Sequence, residues 1–448
     1  METPPSKALL IGIQLPKVTE ADTEGSLAEL GRLVHTLGYE VVGSLRQKRT
    51  STKNALVVGE GKLREIAQWT GGTGTVAPSV KRKKSKAAER FEVDDETSDE
   101  LPPEGVSAEV VIFDCDLTPS QLRNLESATG AIVLDRTGVI IEIFSRHART
   151  RAARLQVEIA RLNYLAPRIR ETGGGKDRQG GGIGGKGAGE SSQELDRRHI
   201  RDRISELKAE LASVQQESSV RRHRRDKENS VALVGYTNAG KSSLMRAMTG
   251  SEVLVADKLF ATLDTTVRPM HPPSLPKVLL SDTVGFIKKL PHDLVASFRS
   301  TLEEALNSDL LLFVVDASDP TFRQQLEVTR EVLGEIGALD IPSRLILNKR
   351  DRLSPDQIQD LRAEFPSAIL LSTRDQSDLT SLREILLSFF EKDMHETDLI
   401  VPYTVQGAIG EIRRAMRVLE ERYDEKGATL KVRAREEDLV RIRDRFKL

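Results

Sequence analysis

The sequence predicts an α/β multidomain protein, and three observations carry that prediction. Short apolar runs alternate with helical patterns along most of the chain, a glycine tract separates two helical seams, and a phosphate-binding loop follows a strand. The expected parts are an N-terminal α/β domain over 1–144, an antiparallel helical hairpin with a glycine-rich tip over 145–228, a phosphate-loop domain over 229–395, and a small C-terminal α/β domain over 396–448. The phosphate-loop domain should have a mostly parallel sheet with helices on both faces.

In the first domain ALLIGIQL, LAELGRLVHTLG, ALVVGEG, AEVVIFD, LTPSQLRNLESATG and AIVLD alternate as apolar runs and helical patterns, the rhythm of a largely parallel sheet. Thr70 to Ser107 interrupts it, where the basic KRKKSKAAER runs into the acidic FEVDDETSDE almost without aliphatic residues. Such a stretch buries too little apolar surface to offset its ordering entropy, so 70–107 is read as a disordered surface insertion.

Of 448 residues, 38% are hydrophobic, enough for several cores, and no run approaches a bilayer-spanning length. The N-terminus METPPSKALL lacks the charged-then-apolar layout of a signal peptide, so a soluble, cytoplasmic protein is expected, and a monomer. The single cysteine, Cys115, cannot form an internal disulfide or a thiolate cluster and reads as a buried structural thiol. The 67 basic and 68 acidic residues cancel, so affinity for nucleic acid has to come from local clusters.

One cluster is plain. Between Ser145 and Arg170 seven arginines face one acid, Glu158, and RRHRRDK follows at Arg221. Leu155, Ile159 and Leu162, and then Ile204, Leu207, Leu211 and Val214, recur at intervals of three and four, the narrow seam of a helical hairpin. Its tip, Gly173 to Gly189, holds ten glycines in seventeen residues, punctuated by Lys176, Arg178 and Lys186. A flexible linker is one reading of that tract. The other is a cationic tip whose bare backbone approaches RNA phosphates closely, with Arg146, Arg149, Arg151, Lys176, Arg178, Lys186, Arg197 and Arg198 as candidate contacts.

The chemistry lies in the third region. Gly235, Tyr236, Thr237, Asn238, Ala239, Gly240, Lys241 and Ser242 form a full phosphate loop between a strand and a helix. Its backbone N–H groups wrap phosphates, Lys241 offsets their charge, and the Ser242 hydroxyl suits magnesium. The strand PKVLLSD ends in Asp282, Thr283, Val284 and Gly285, where the aspartate reaches magnesium through water and the Gly285 amide meets the γ-phosphate. Asn348, Lys349, Arg350 and Asp351 end the strand SRLILNK, and the Asp351 carboxylate can accept two hydrogen bonds from guanine that adenine does not offer. Ser372, Thr373 and Arg374 fill the turn whose amides meet guanine O6. The substrate these residues imply is GTP, making this a P-loop GTPase domain. A second magnesium hydroxyl has three candidates on spacing, Thr262, Thr265 and Thr266.

GYTNAGKSSL, LFATLDTT, DTVGFIKKLPHDLVASF and NKRD resemble the HflX family of translation-factor-related GTPases, and so do DLTPSQLRNLE, VLDRTGVIIEIFSRHARTRAARLQVEIARLNYL and QGGGIGGKGAGESSQELDRRHI outside that domain. The insertion at 70–107 and the first half of the glycine loop, ETGGGKDR, depart from the family pattern. The resemblance implies GTP and GDP as ligands, and magnesium as cofactor, with Thr262 as its ligand within Phe260, Ala261, Thr262, Leu263 and Asp264. It also implies binding to the large ribosomal subunit and its rRNA, and splitting or rescue of stalled ribosomes under stress. A GTP-gated scaffold for protein partners and an RNA-remodelling NTPase are the alternatives.

Three expectations remain. Phe286 stands where a water-orienting side chain is sought, and it reads as a hydrophobic residue facing away from or screening the water, while His292 reads as a polar surface residue. Acceleration is therefore expected from charge, with Lys241, Asn238, Thr262 and Gly285 as the catalytic set and Asn238 resembling the potassium-ligating asparagine of cation-activated GTPases. The last domain reads strand LIVPYT, helix QGAIGEIRRAMRVLEERY, strand ATLKVRA and helix EEDLVRIRDRF, with Tyr403 and Tyr423 expected in its core.

Overall fold

The computed structural model describes residues 6–76, 107–169, 192–223, 228–250, 260, 265–289, 305–392, 394–425 and 427–447. The chain forms two compact units, one of residues 1–216, 257–261 and 288–298 and one of 217–256, 262–287 and 299–448. No described helix is long and apolar enough to cross a membrane.

The first unit is built on a parallel four-stranded sheet in the order β2-β1-β3-β4, from β1 (Lys7–Gln14), β2 (Glu40–Lys48), β3 (Val110–Phe113) and β4 (Ile132–Asp135). Ala8 to Ile11 and Val110 to Phe113 are buried throughout, as central parallel strands covered on both faces must be. Helices α1 (Glu20–Thr36), α2 (Glu60–Thr70) and α3 (Pro119–Thr129) follow the strands, and α3 starts on a capping box between Thr118 and Gln121. Leu9, Ile11, Ile66, Trp69, Phe113 and Leu125 lie in the core, and Cys115 packs against it with its thiol pushed up to about 12 by burial.

Two sequence expectations need correction in this unit. ALVVGEG is not a strand: Val57 and Val58 enter the core from a loop, and the strand is EVVGSLRQK, an edge whose mostly exposed side chains hide its period. The expected insertion also starts too early. Thr70 Oγ1 donates to the Thr129 carbonyl at 2.7 Å and the Gly74 amide to the Ala128 carbonyl at 2.9 Å, so the residues after α2 are packed; 77–106 lie outside the described residues.

Helix α4 (Arg136–His147) leads through Thr150, an N-cap, into α5 (Arg151–Leu165), and α6 (Ser192–His223) pairs with α5. Arg151 bonds Glu210 while Arg203 bonds Glu158, so the two helices run antiparallel. Leu155, Ile159 and Leu207 are buried at the seam, flanked by partly buried Leu162, Ile204, Leu211 and Val214. That seam is the one the spacing predicts. Residues 173–189, with Lys176, Arg178 and Lys186, lie outside the described residues.

The second unit holds a six-stranded sheet in the order β10-β9-β8-β5-β7-β6, made of β5 (Asn229–Val234), β6 (Thr266–Pro269), β7 (Val278–Asp282), β8 (Leu310–Asp316), β9 (Ser343–Asn348) and β10 (Ile369–Leu370). Only the edge strand β6 is antiparallel. Helices α7 (Lys241–Thr249) and α10 (Gln376–Glu391) pack on the face of Val231, Leu233, Leu312 and Val314. Leu311 and Phe313 point to the other face, which α8 (Phe322–Glu335) covers, and α9 (Pro355–Glu364) follows β9.

The same unit ends in an antiparallel sheet of three strands, order β11-β13-β12, from β11 (His395–Pro402), β12 (Arg417–Tyr423) and β13 (Gly427–Ala434). Helices α11 (Ala408–Ala415) and α12 (Glu436–Phe446) supply Ile412, Leu439 and Ile442 to its core. The helix expected over QGAIGEIRRAMRVLEERY is therefore half strand. Buried Met416 turns extended at φ −129° and ψ 151°, and the polar residues after it pair with β13, whose ladder outweighs their helical propensity. Tyr403 and Tyr423, expected in the core, stand at strand ends and are 55% and 56% exposed. Their hydroxyls bond the Asp424 carbonyl and Glu421 instead.

Candidate active site

The nucleotide motifs meet where parallel strands end together. Central β5 delivers the phosphate loop, and β7, β8 and β9 end at Asp282, Asp316 and Asn348. Register places Asp282 opposite Leu233, and Asn348 opposite Asp316, so all four loops open at one edge of the sheet.

Lys241 opens α7 and is 6% exposed. Its Nζ donates to the carbonyls of Gly235 at 2.9 Å and Tyr236 at 2.8 Å, which stretches the amine across the loop that holds phosphates. Burial pushes that amine down to about 8, partly opposed by the Asp282 carboxylate. Asn238 lies at the loop's crest with a left-handed backbone, φ 60°, and an exposed side chain.

Ser242 Oγ donates to Asp282 Oδ2 at 2.6 Å, and Asp282 is fully buried. A hydroxyl and a carboxylate converging beside the phosphate loop form an all-oxygen donor set of the kind a magnesium ion takes, so these residues fit the cofactor.

The next loop is tied to the phosphate loop through its backbone. The Phe286 amide donates to the Gly235 carbonyl at 3.1 Å, and the Thr237 amide to the Phe286 carbonyl at 2.8 Å. Between these ties Gly285 approaches so closely that a Cβ there would lie 2.9 Å from Thr237 Cα and 3.0 Å from Lys241 Nζ. The Phe286 ring is 2% exposed, packed rather than poised over a water, and Thr283 and Val284 are buried as well. Thr237 Oγ1 is buried beside this tie without a hydrogen-bond partner among the described residues.

The residues expected to read the base lie in a cleft of about 380 Å³ lined by Arg350, Asp351, Ser372, Arg374, Asp375 and Gln376. Asp351 Oδ1 accepts from Ser372 Oγ at 2.6 Å, which holds its carboxyl below the usual range, and Arg374 lies 3.6 Å from the other oxygen. Thr373 sits between them, half-buried. Asn348 Nδ2 donates to the Ala239 carbonyl at 2.9 Å, possible because Gly240, at φ 97°, has no Cβ to strike it. Lys349 adopts φ 63°, and its Nζ reaches the Asn238 carbonyl at 2.9 Å and Asp316 at 2.6 Å.

Sequence reasoning missed three supports here. Asp316 anchors Lys349, Asp378 accepts from the Ser372 amide at 2.7 Å, and Asp375 pairs with Arg350 at 2.8 Å. Asp316 had a signal, a carboxylate closing the apolar strand LLLFVVD; the other two had none.

Phe260 belongs to the first unit, where its ring meets Phe144 edge-on at 4.6 Å. Ala261, Thr262, Leu263, Asp264 and His292 lie outside the described residues, and Thr266 begins β6. Among the RNA candidates, Arg146, Arg149 and Arg151 cluster around the exposed α4–α5 turn, and Arg197 and Arg198 are exposed on α6. Arg146 is engaged by Glu142 and the Leu37 carbonyl, and Arg151 by Glu210, surface contacts that a stronger anion can displace.

Comparison with known proteins agrees with this arrangement. Residues 24–145 match the family described as GTP-binding GTPase N-terminal, 147–225 the GTP-binding GTPase Middle Region, and 230–349 the 50S ribosome-binding GTPase. The chain is 59% identical over 448 residues to GTPase HflX of Gluconacetobacter diazotrophicus, with 99% of each chain covered. It belongs to the HflX family of GTPases. It is also similar to GTPase HflX of Caldanaerobacter subterraneus subsp. tengcongensis, 37% identical over 440 residues with 98% of this chain and 93% of that one covered, and to GTPase HflX of Escherichia coli, 37% over 380 residues with 84% and 82% covered.

The geometry of this HflX site makes two predictions. Replacing Asp351→Asn puts an amide donor where guanine presents its own donors, so GTP affinity should fall about a hundredfold while xanthosine triphosphate, with a carbonyl at that position, gains; competition against a fluorescent guanine nucleotide measures both. The second concerns protons. Below about pH 8 Lys241 is charged with or without nucleotide; above it the free protein loses a proton that the phosphate-bound form keeps. Affinity should decline as pH rises through that value, and calorimetry in buffers of different ionisation heat should register proton uptake just above it.

Proposed function

We propose that this chain is a cytoplasmic, monomeric GTP-hydrolysing factor that binds the large ribosomal subunit and splits or rescues stalled ribosomes under stress. The observation that carries the reading is one chain joining guanine-nucleotide motifs to a helical hairpin with exposed arginines at its base. The match of 230–349 to the 50S ribosome-binding GTPase family supports the partner, and clustered cations on two helices suit RNA phosphates.

The chain's own residues divide the work. Phosphate-loop amides and Lys241 hold the β- and γ-phosphates, the Gly285 amide senses the γ-phosphate, and Asp351 selects guanine. Ser242 and Thr262 would bind magnesium directly and Asp282 through water, and the ion when bound neutralises charge on the phosphate oxygens. With the Phe286 ring packed away, the reading assigns acceleration to charge rather than to a side-chain base, and Asn238 is the proposed ligand of a potassium ion.

Two measurements test this. Sedimentation with ribosomes should give pelleting with a non-hydrolysable GTP analogue, little with GDP or an ATP analogue, and loss of pelleting on deletion of 173–189. No pelleting in any nucleotide state would sink the ribosomal reading. Turnover should be faster in potassium than in sodium buffer; equal slow rates in both would remove the monovalent ion from the mechanism.

A further inference from the structure

Buried charges in the first unit pair with one another. Arg136, the first residue of α4, donates to Asp114 Oδ1 at 2.8 Å and to Glu29, and Asp114 Oδ2 accepts from Lys289 Nζ at 2.8 Å. A buried hydroxyl in the second unit is different. Thr237, the third residue of the phosphate loop, is 7% exposed, and its Oγ1 has no hydrogen-bond partner among the described residues. Leaving a buried polar group unpaired costs free energy, so such groups in folded chains nearly always have a partner, and an exception calls for one.

The carbonyls nearest in the chain are already engaged. That of Gly235 accepts from the Phe286 amide at 3.1 Å and from Lys241 Nζ at 2.9 Å, and that of Tyr236 accepts from Lys241 Nζ at 2.8 Å and from the Ala239 amide at 3.3 Å. A carbonyl oxygen has two lone pairs, so both are filled. The Phe286 carbonyl accepts the amide of Thr237 itself at 2.8 Å. The backbone around Thr237 is thus tied down without using its hydroxyl, and the other hydroxyl of the loop, on Ser242, is engaged with Asp282.

The surroundings point to the ligand. A Cβ built on Gly285 would lie 2.9 Å from Thr237 Cγ2 and 3.0 Å from Lys241 Nζ, so the threonine side chain and the lysine amine converge on one point beside Gly285. Lys241 and the Gly285 amide are the groups that suit a γ-phosphate. Phe286, next in the chain, turns an apolar ring into the protein and offers that phosphate nothing polar from its side chain.

We infer that Thr237 is a further catalytic residue of GTP hydrolysis, its hydroxyl donating a hydrogen bond to an oxygen of the γ-phosphoryl group as water attacks. The water oxygen bonds to the γ-phosphorus, the bond from that phosphorus to the β–γ bridging oxygen breaks with its electron pair staying on GDP, and both protons of the water remain on the inorganic phosphate, released as H2PO4−. A neutral donor held in place by backbone ties on either side and kept from water needs no reorganisation in that step, which favours the transition state over the bound substrate. The inference rests on the reading that Lys241 and Gly285 meet the γ-phosphate and is independent of any ribosomal partner.

The test uses the full chain with Thr237→Val, which keeps the shape and removes the hydroxyl, Thr237→Ser, which keeps the hydroxyl, and Lys241→Ala. Single-turnover GTP hydrolysis is measured, together with affinities for GDP, for a non-hydrolysable GTP analogue, and for GDP with aluminium fluoride as a mimic of the phosphoryl group in transfer. An unpaired hydroxyl exchanged for a methyl of the same size should leave the fold intact. Thr237→Val should slow hydrolysis about thirtyfold and weaken the aluminium fluoride complex by a similar factor, with GDP affinity changed less than about twofold, and Thr237→Ser should bring both back to within about threefold of the wild type. Wild-type hydrolysis in Thr237→Val, equal slowing by valine and serine, or a loss of GDP affinity as large as the loss of rate overturns the inference. Lys241→Ala should lose affinity for the triphosphate analogue. If it does while Thr237→Val hydrolyses normally, the phosphate-site reading stands and this inference falls; if Lys241→Ala binds and hydrolyses like the wild type, both fall.

Discussion

Asn348 Nδ2 donates to the Ala239 carbonyl at 2.9 Å, and this hydrogen bond ties the Asn348–Asp351 loop to the Gly235–Ser242 loop. A Cβ on Gly240 would sit 2.2 Å from that nitrogen, so the tie requires glycine there. It also requires β5, β8 and β9 to run parallel with their carboxyl ends level, which the pairing of Asp316 with Asn348 provides. Lys349, forced to φ 63° just after the tie, then spans from Asp316 to the Asn238 carbonyl and adds a second link. Strand order, glycine position and loop shape thus all serve to hold the two loops at a fixed separation.

Electrostatics at the phosphate end follow the same economy of parts. Lys241 is buried, and among the described residues the Asp282 carboxylate opposes the loss of its charge, so its ammonium is under-solvated and primed for an anion. The Ser242–Asp282 hydrogen bond keeps a hydroxyl and a carboxylate facing each other where oxygen ligands are needed. Phe286 serves a different end. Its amide and carbonyl pair with Gly235 and Thr237 while its ring fills space, so the loop is anchored by both backbone and side chain.

Legibility in the sequence tracked the range of the interaction. The nucleotide loops could be read because phosphate and guanine chemistry sets residue types at fixed local spacing, and the Leu155, Ile159 and Leu207 seam because helical periodicity is local too. Edge strands were lost: EVVGSLRQK and RVLEERY expose most side chains, so neither shows a clean alternation, and the partner strand decides. The Arg136 cluster was invisible for a stronger reason. Glu29, Asp114, Arg136 and Lys289 come from far-separated stretches, and charged residues in a sequence read as solvated surface until a fold buries them.

That burial decides which ion pairs can carry information. Exposed pairs such as Arg151–Glu210 contribute about 0–1 kcal/mol and exchange freely with water. Stripping a partner from a buried pair costs about 3–5 kcal/mol, because the remaining charge stays unsolvated. Asp114 is held below its ordinary carboxyl value although burial alone raises it, since Arg136 and Lys289 outweigh that penalty. The two sides of the contact are unequal: Lys289 is half in water and can leave readily, whereas Asp114 cannot follow it. A contact that opens from one side only, with its cost borne by the buried partner, favours one placement of residues 288–289 strongly enough to hold a left-handed lysine.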